Sequence, residues 1–408
     1  MQKPQTESSG TSIARMDCFE SIRGLAAFAV YIGHMILGFC PALYFRTGSR
    51  WEEIPVWLQI PARFPGKFLW NGELPVTIFF VLSGFVLSLA FFQGRSAGGL
   101  SSAAIRRYPR LMLPVAASIM FAFILLQTGM MFNQDAVRHM DAIQGLTYDP
   151  SAANDASNNW LRGCWSFAPD ITAAFREAVW GTFTTGAVYN PVTWTMPIEL
   201  AGSFLVYGFL ALFGRLRNRW TLYVIVGVLL LASGQTYMLA FVNGIGLCDL
   251  WAINQRTWRR ALPLAPALAL VALAVFALPW KSVSAVLIVG ATAASPRLQH
   301  LLSARWLCWL GRISYSLYLF HMPIFCSLAC GVYVFLSRDH GWPYAYGALV
   351  ASLVYLVVTL LLAWFFYVAV DLRAILLARW LDNRLFRHAE SAAPAATARP
   401  AMPISKAA

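Results

Sequence analysis

Residues 19–39 read FESIRGLAAFAVYIGHMILGF, an apolar run long enough for a membrane span of about 20 residues. Arg23 and His34 lie eleven residues apart within it. Eleven steps of about 100° return to within about 20° of the starting face, about 16 Å further along the helix. The two side chains therefore share one stripe. Because ionisable residues inside a span are costly, they indicate a functional site.

The composition of the whole chain predicts a membrane protein. Of 408 residues, 59% are hydrophobic and 12% are charged, whereas about a quarter of the residues of a soluble domain are charged. Such a chain has too little polar surface for a soluble fold. Residues 1–16 contain neither an apolar stretch nor a small-residue cleavage site, so we predict no removable signal peptide.

The net charge of +13 is distributed as in membrane proteins, and we expect no nucleic-acid partner. Basic residues collect in loops between ten apolar segments. These segments are 19–40, 74–92, 111–131, 192–214, 221–239, 240–255, 261–279, 282–295, 306–336 and 345–370. Segments 240–255 and 282–295 are short for a span of about 20 residues. A break or tilt is expected near Pro323 in the long ninth segment.

The loop charges predict the orientation. The loops at 93–110, 215–219 and 256–260 contain arginines and no acid, whereas those at 41–73 and 132–176 are mixed. We therefore predict an all-α polytopic membrane protein with about ten transmembrane helices and both termini cytoplasmic. An eight-span arrangement without the two short segments would move the 256–260 loop outside, which the positive-inside bias disfavours.

The predicted organisation has three parts. Residues 1–16 form a cytoplasmic N-terminal segment, and residues 17–370 form one membrane domain in the lipid bilayer, with a long polar outer loop at 132–176. Residues 371–408 form a cytoplasmic tail. The tail is rich in alanine and proline after residue 388, so we predict disorder there.

Two polar groups lie in or beside the fourth and third segments. Glu199 lies within a predicted span, where an unpaired carboxylate is costly; it either forms a structural hydrogen bond or orients an imidazole. Arg106, Arg107 and Arg110 precede the third segment. Such a cluster either sets topology and binds anionic lipid or binds the phosphates of an anionic cofactor.

The histidines also allow two interpretations. His321 shares its predicted span with Ser314 and Tyr315, and these residues either bond neighbouring helices or have a functional role. His34 is either structural, beside an Arg23 that extends to the interface, or it is a general base or acyl acceptor. The cysteines form no CxxC pair and no zinc-ligand spacing, so we expect no metal.

Five tryptophans on the predicted outer side also have two possible roles. They form an interfacial aromatic belt or stack on sugar rings. These residues are Trp51, Trp57, Trp70, Trp160 and Trp165.

Taken together, these segments resemble the acyltransferase-3 family of multi-span O-acyltransferases that modify sugars and lipids. The resemblance covers about residues 17–370 and depends on five motifs in order. They are FESIRGLAAFAVYIGH at 19–34, FFVLSGFVLS at 79–88, RRYPRLMLP at 106–114, NPVTWTMPIEL at 190–200 and LGRISYSLYLFHMPI at 310–324.

The resemblance implies an enzyme that moves an acyl group, expected to be acetyl, from cytosolic acyl-CoA to a hydroxyl of a carbohydrate, glycolipid or glycoside. It also implies a multi-pass protein, expected in a bacterial cytoplasmic membrane. His34 matches the family's first-helix histidine and His321 its late-helix histidine.

The remaining matches are Arg23 before the histidine, Glu199 in the Trp-Thr-x-x-x-Glu stretch, and Arg107 and Arg110 in the Arg-x-x-Arg feature, beside Arg106. The implied roles follow residue by residue. The Arg-x-x-Arg arginines bind the CoA phosphates, Arg23 helps to hold the donor, and Glu199 orients His34.

A transporter or flippase is the alternative. In that case the intramembrane His, Glu and Arg would form a proton or substrate path. Inverted repeats with paired broken helices would favour a transporter, and the sequence does not display them.

Overall fold

The structure is a computed structural model that describes residues 8–45, 72–94, 98–143, 156–257, 261–276 and 280–391. Within these ranges every regular element is helical. The α-helices of the first half are α1 (Ser8–Phe39), α2 (Pro41–Phe45), α3 (Glu73–Phe92), α4 (Gly98–Gln127), α5 (Asn133–Ile143), α6 (Ala156–Gly163), α7 (Ile171–Arg176) and α8 (Met196–Phe213). Those of the second half are α9 (Arg219–Ala232), α10 (Thr236–Thr257), α11 (Leu264–Phe276), α12 (Lys281–Ala294), α13 (Pro296–Leu302), α14 (Arg305–Ile324), α15 (Cys330–Tyr333), α16 (Tyr344–Phe366) and α17 (Leu372–Ser391).

The prediction of an all-α membrane protein is confirmed, and ten apolar helices within the described residues match the ten predicted segments. Seven are long and apolar enough to cross a membrane: Asp17–Phe39, Glu73–Phe92, Gly99–Gln127, Pro191–Phe213, Thr236–Asn254, Arg305–Asp339 and Tyr344–Leu385. Three are shorter: Arg219–Ala232, Leu264–Val275 and Lys281–Ala294. The short helices therefore include the segment at 282–295, whereas the segment at 240–255 belongs to a helix of spanning length.

Two regions that the sequence predicts as loop or tail contain helices. The described parts of the 132–176 loop include α5, α6 and α7. Asn133 Nδ2 donates to Leu161 O at 3.0 Å and to Cys164 O at 2.8 Å, which ties α5 to the end of α6. The predicted tail begins as α17, and residues 392–408 lie outside the described residues.

Two glycines allow α1 and α14 to pack closely. A Cβ atom on Gly24 would lie 2.6 Å from the backbone nitrogen of Gly311, and a Cβ on Gly311 would lie 2.4 Å from Glu20 O. Both distances are far inside van der Waals contact with backbone atoms that cannot rotate away. The absence of a side chain at both positions therefore lets the two backbones approach each other.

The same pair of helices brings two histidines together. His34 and His321 follow Gly24 and Gly311 by ten residues each, and their rings are hydrogen-bonded at a sequence separation of 287. Since the glycines have the same separation, α1 and α14 run in the same direction and keep one register from the glycines to the histidines.

Pro323 changes α14 without interrupting it. A proline has no N–H, so Leu319 O lacks its usual helical donor. Asn190 Nδ2 donates to this carbonyl at 2.8 Å instead. Beyond Ile324 the chain continues as a π-helical turn, Phe325–Ala329. The break expected near the proline is therefore a change of helix type, with the freed carbonyl satisfied by an asparagine from another motif.

Candidate active site

His34 and His321 form a hydrogen-bonded imidazole pair. His34 Nδ1 lies 3.0 Å from His321 Nε2, and the ring centroids are 5.0 Å apart. His321 is completely buried, whereas His34 is half-buried. The sequence predicts both as polar membrane residues, but only the register of α1 and α14 brings them into contact.

Trp160 of α6 covers one face of the His34 ring. The ring centroids are 5.3 Å apart and the planes differ by 13°, so the two rings are stacked. The other described tryptophan of the predicted outer group, Trp165, is buried and donates its indole N–H to Tyr189 O at 2.9 Å. A helix of the predicted outer loop thus reaches the imidazole pair. Trp51, Trp57 and Trp70 lie outside the described residues.

A cavity of about 240 Å³ lies beside the glycine end of the α1–α14 pair. Its lining contains four arginines and three carboxylates: Arg23, Arg107, Arg110, Arg312, Glu20, Glu199 and Asp371. Four guanidinium groups against three carboxylates leave an excess of one positive charge. An anion with several oxygens, such as a phosphate, fits this set of donors.

The carboxylate of Glu199 binds an arginine and a serine. Ser83 Oγ donates to Glu199 Oε1 at 2.7 Å, and Arg107 Nη2 forms an ion pair with the same oxygen. Arg107 Nε also donates to Ser203 Oγ at 2.8 Å. Glu199 therefore contacts Arg107 where α3, α4 and α8 meet, and His321 lies beside His34; that Glu199 orients His34 stays a prediction.

Arg106 points away from the cavity and is not among its lining residues. It forms an ion pair with Asp382 of α17 and contacts Ser102. Arg107 and Arg110 are three residues apart and share one helical face, whereas Arg106 is turned about 100° from Arg107 towards α17. Arg106 therefore joins α4 to α17 outside the cavity, and its role in cofactor binding stays a prediction.

Three cavity arginines keep their guanidinium groups available. Among the described residues, Arg23, Arg110 and Arg312 form no ion pair. Glu20 and Asp371 share the lining with them. The cavity therefore combines one internally paired arginine with three that can bind an incoming anion.

Tyr318 connects the cavity to the imidazole pair. It lines the cavity, and its ring centroid lies 6.1 Å from that of His321. Its hydroxyl donates to Val192 O at 2.7 Å. Ser314 and Tyr315, which the sequence predicts as polar span residues, also line the cavity, and Tyr315 donates to Leu111 O at 3.0 Å.

The sequence did not single out Arg312, Ser83 and Asp371. Arg312 and Ser83 lie inside the quoted motifs. Arg312 directly follows Gly311, the glycine at which α1 and α14 touch, so the adjacent glycine in the same motif could have indicated it. Asp371 ends the π-helical turn Tyr367–Asp371. The sequence position of an acidic residue near the end of a predicted span does not distinguish it from a surface residue.

Glu177 supports the turn that leads to Asn190. Its Oε1 accepts the backbone N–H groups of Val188 and Tyr189, both at 2.9 Å. Burial raises the pKa of this carboxyl, although the backbone donors favour its charged form. The Glu177 carboxylate therefore fixes the backbone of this turn. This places Asn190 where its side chain can reach α14.

Within the described ranges, no group of three His, Cys, Asp or Glu side chains could hold a metal ion. A family model described as an acyltransferase domain matches residues 16–368. O-acetyltransferase PaAT-1 from Phomopsis amygdali is 24% identical over 439 aligned residues, which cover 91% of this chain and 85% of that protein. No solved structure matches significantly.

Proposed function

Because this chain belongs to the acyltransferase-3 family and is an acyltransferase, we propose that it moves an acetyl group from acetyl-CoA to a hydroxyl of a carbohydrate, glycolipid or glycoside. One observation carries the proposal. A single parallel helix pair has an arginine-lined cavity at one end and a hydrogen-bonded imidazole pair at the other.

The cavity is the proposed site of the CoA phosphates. Arg23, Arg110 and Arg312 supply guanidinium groups without ion-pair partners among the described residues. Guanidinium groups bind phosphate oxygens in a bidentate manner. Arg107, held by Glu199, adds a fourth positive charge in a fixed position. An acetyl donor is supported by the name of PaAT-1, an O-acetyltransferase.

His34 is the proposed catalytic residue. It accepts the proton of the acceptor hydroxyl while the oxygen attacks the thioester carbon. The carbon–sulfur bond breaks, and the thiolate takes up that proton and leaves as CoA. In a variant of this route His34 attacks the thioester carbon, the carbon–sulfur bond breaks and the thiolate leaves. The hydroxyl oxygen then attacks the acyl-imidazole, the carbon–nitrogen bond breaks, and the hydroxyl proton converts the CoA thiolate to the thiol. Either route needs a neutral imidazole, so the rate of transfer should fall at acid pH.

The distance along α1 suits a donor that enters from one side and an acceptor from the other. Arg23 and His34 are about 16 Å apart on one helical face. Trp160, from the predicted outer loop, stacks on His34. We therefore assign the acceptor to the Trp160 side, where an aromatic ring can also contact a sugar.

The direction of α14 supports eight or ten spans. A parallel α1 and α14 require an even number of crossings from the start of α1 to the start of α14. Five of the seven long helices precede Arg305, which is an odd number. If all seven cross, one or all three of the shorter helices must cross as well. The ten-span topology with cytoplasmic termini meets this condition.

The test measures free CoA released from acetyl-CoA by the purified protein in lipid nanodiscs. A panel of hydroxylated glycans and glycolipids is added to wild type and to His34→Ala, and binding of radiolabelled acetyl-CoA is measured in parallel. We expect acceptor-dependent release by wild type. We expect His34→Ala to lose release and to keep binding, because the cavity does not include His34.

Two outcomes would contradict parts of the proposal. Binding of acetyl-CoA without release for any hydroxyl acceptor would exclude the acceptor class. Neither binding nor release by a folded protein would exclude acetyl-CoA as the donor.

A further inference from the structure

We propose that His321 is a positioning residue that holds the proton of His34 on Nδ1 and leaves His34 Nε2 as the reacting nitrogen. The role of His34 in this inference depends on the proposed function. The tautomer itself does not, because it follows from the hydrogen bonds around the two rings.

The first step is the protonation of His321 Nδ1. This nitrogen lies 2.7 Å from Tyr318 O and 3.2 Å from Leu317 O. A carbonyl oxygen can only accept a hydrogen bond. A bare nitrogen at this distance would set its lone pair against those of the oxygens. Nδ1 of His321 therefore has the proton and donates it to the backbone of its own helix.

The second step is the charge of His321. Its ring nitrogens contact only the two carbonyls and His34 among the described residues, and the residue is 0% exposed. Among the residues that the structure describes, no carboxylate contacts this ring to stabilise an imidazolium, and an unpaired charge inside a span is costly. His321 is therefore neutral, and its Nε2 has a lone pair and no proton.

The third step transfers this constraint to His34. Nε2 of His321 lies 3.0 Å from Nδ1 of His34, and a bare nitrogen can only accept. Nδ1 of His34 must then donate, so neutral His34 is bare at Nε2; a backbone hydrogen bond with Val30 also acts on this imidazole. The two nitrogens of an imidazole point in different directions, and Trp160 covers a ring face rather than this edge.

The arrangement also favours the reaction. When Nε2 of His34 takes the hydroxyl proton, the ring becomes an imidazolium whose Nδ1–H still donates to His321 Nε2. A hydrogen bond from a charged donor is stronger than one from a neutral donor. His321 thus sets the tautomer before the reaction and stabilises the charge that develops during it, without touching either substrate.

Two variants of His321 test this role. His321→Gln keeps an acceptor oxygen near the position of Nε2, whereas His321→Leu has none. General-base catalysis contributes about 10²- to 10⁴-fold, so we expect kcat of His321→Leu to fall by about 10²-fold or more. The KM for acetyl-CoA should stay unchanged, and kcat of His321→Gln should lie between those of His321→Leu and wild type.

The matched control is Ser327→Ala, on the same run of helix. Ser327 Oγ donates to Pro323 O at 2.7 Å and to Ile324 O at 3.4 Å, so this variant also loses buried hydrogen bonding to its own helix but leaves the imidazole pair intact. We expect less than a threefold change in kcat, on the order of 0.6 kcal/mol. Equal losses in His321→Leu, His321→Gln and Ser327→Ala would assign His321 a structural role and overturn the proposal.

A second measurement does not depend on catalysis. The chain has six histidines, so ¹⁵N-histidine labelling with His34→Gln as the assignment control gives a resolvable NMR spectrum in nanodiscs. We expect the Nδ1-protonated form of His34 in wild type and a mixture of tautomers in His321→Leu. An Nε2-protonated His34 in wild type would overturn the proposal, even if acetyl transfer to hydroxyls were established.

Discussion

The two ends of the α1–α14 pair differ in the charge of the side chains that surround them. The cavity end places Arg23 and Arg312 beside the touching glycines and adds two further arginines and three carboxylates. The histidine end has two imidazoles, an indole and two backbone carbonyls as hydrogen-bonding or stacking partners. One end of the same helix pair is thus built from ions and the other from neutral groups.

The separation of the two ends explains why both can exist on one helix. At an effective dielectric constant of about 20, two charges 4 Å apart interact by ~4 kcal/mol, and 16 Å apart by ~1 kcal/mol. A guanidinium beside His34 would oppose its protonation by the larger amount. Placing Arg23 about 16 Å along α1 from His34 keeps its positive charge in the cavity for the donor while the imidazole can still act as a base.

The largest expected effect concerns the ion pair at the cavity end. In Glu199→Leu, Arg107 loses its carboxylate partner although its side chain is only 11% exposed. Breaking a buried pair costs about 3–5 kcal/mol, so the thermal midpoint in nanodiscs should fall strongly. The double variant with Arg107→Met should recover most of the stability but not acetyl-CoA binding.

A single Glu199→Leu variant with wild-type stability would show that the cavity end does not depend on this pair. The difference in charge between the two ends would then depend only on Arg23, Arg110 and Arg312, which form no ion pair among the described residues.

The next effect tests whether the two ends are held together. In Gly24→Ala, the new Cβ would meet the backbone of Gly311 at 2.6 Å, so the helices must separate. Overpacking of this kind costs about 1–3 kcal/mol, and kcat should fall because the His34–His321 hydrogen bond lengthens. Thermal unfolding and steady-state kinetics measure the two consequences.

The control is Gly246→Ala, also in a membrane helix. A Cβ at Gly246 would meet nothing within 4 Å, and alanine is favoured over glycine in a helix by about 0.5–1 kcal/mol. This variant should be as active as wild type and equally or more stable. Loss of activity in Gly246→Ala, or full activity in Gly24→Ala, would show that catalysis does not depend on the contact between α1 and α14.

The sequence predicted the composition of both ends better than their contacts. Arg23, Arg107, Arg110, Glu199, His34 and His321 all lie at one end or the other. Apolar periodicity locates a helix and its polar stripe, but it does not determine how two helices 287 residues apart in sequence align with each other. The His34–His321 contact and the partner of Glu199 both depend on that register, so neither could be derived from one chain segment.

The orientation of Arg106 also depends on a distant segment. Adjacent residues on a helix point about 100° apart, which still allows both to line one cavity, as Ser314 and Tyr315 do. The spacing of Arg107 and Arg110 indicates one shared face. Arg106 lies outside the cavity and forms its ion pair with Asp382 of α17, a contact that the spacing within the motif does not contain.

The smallest expected effect sharpens the comparison within the cavity itself. Arg110→Gln removes one unpaired guanidinium from the lining, and Arg106→Gln removes one that lies outside it. A hydrogen bond to a charged group contributes about 1.5–3 kcal/mol, so Arg110→Gln should raise the KM for acetyl-CoA about tenfold or more and leave kcat at saturation nearly unchanged. Arg106→Gln should leave both constants unchanged and lower only the stability, because it removes the ion pair between α4 and α17. Steady-state kinetics at varied acetyl-CoA, with the acceptor held constant, distinguish the two variants. Equal increases in KM in the two variants would mean that the positive charge of the whole α4 terminus attracts acetyl-CoA. The position of Arg110 in the cavity would then not matter for donor binding.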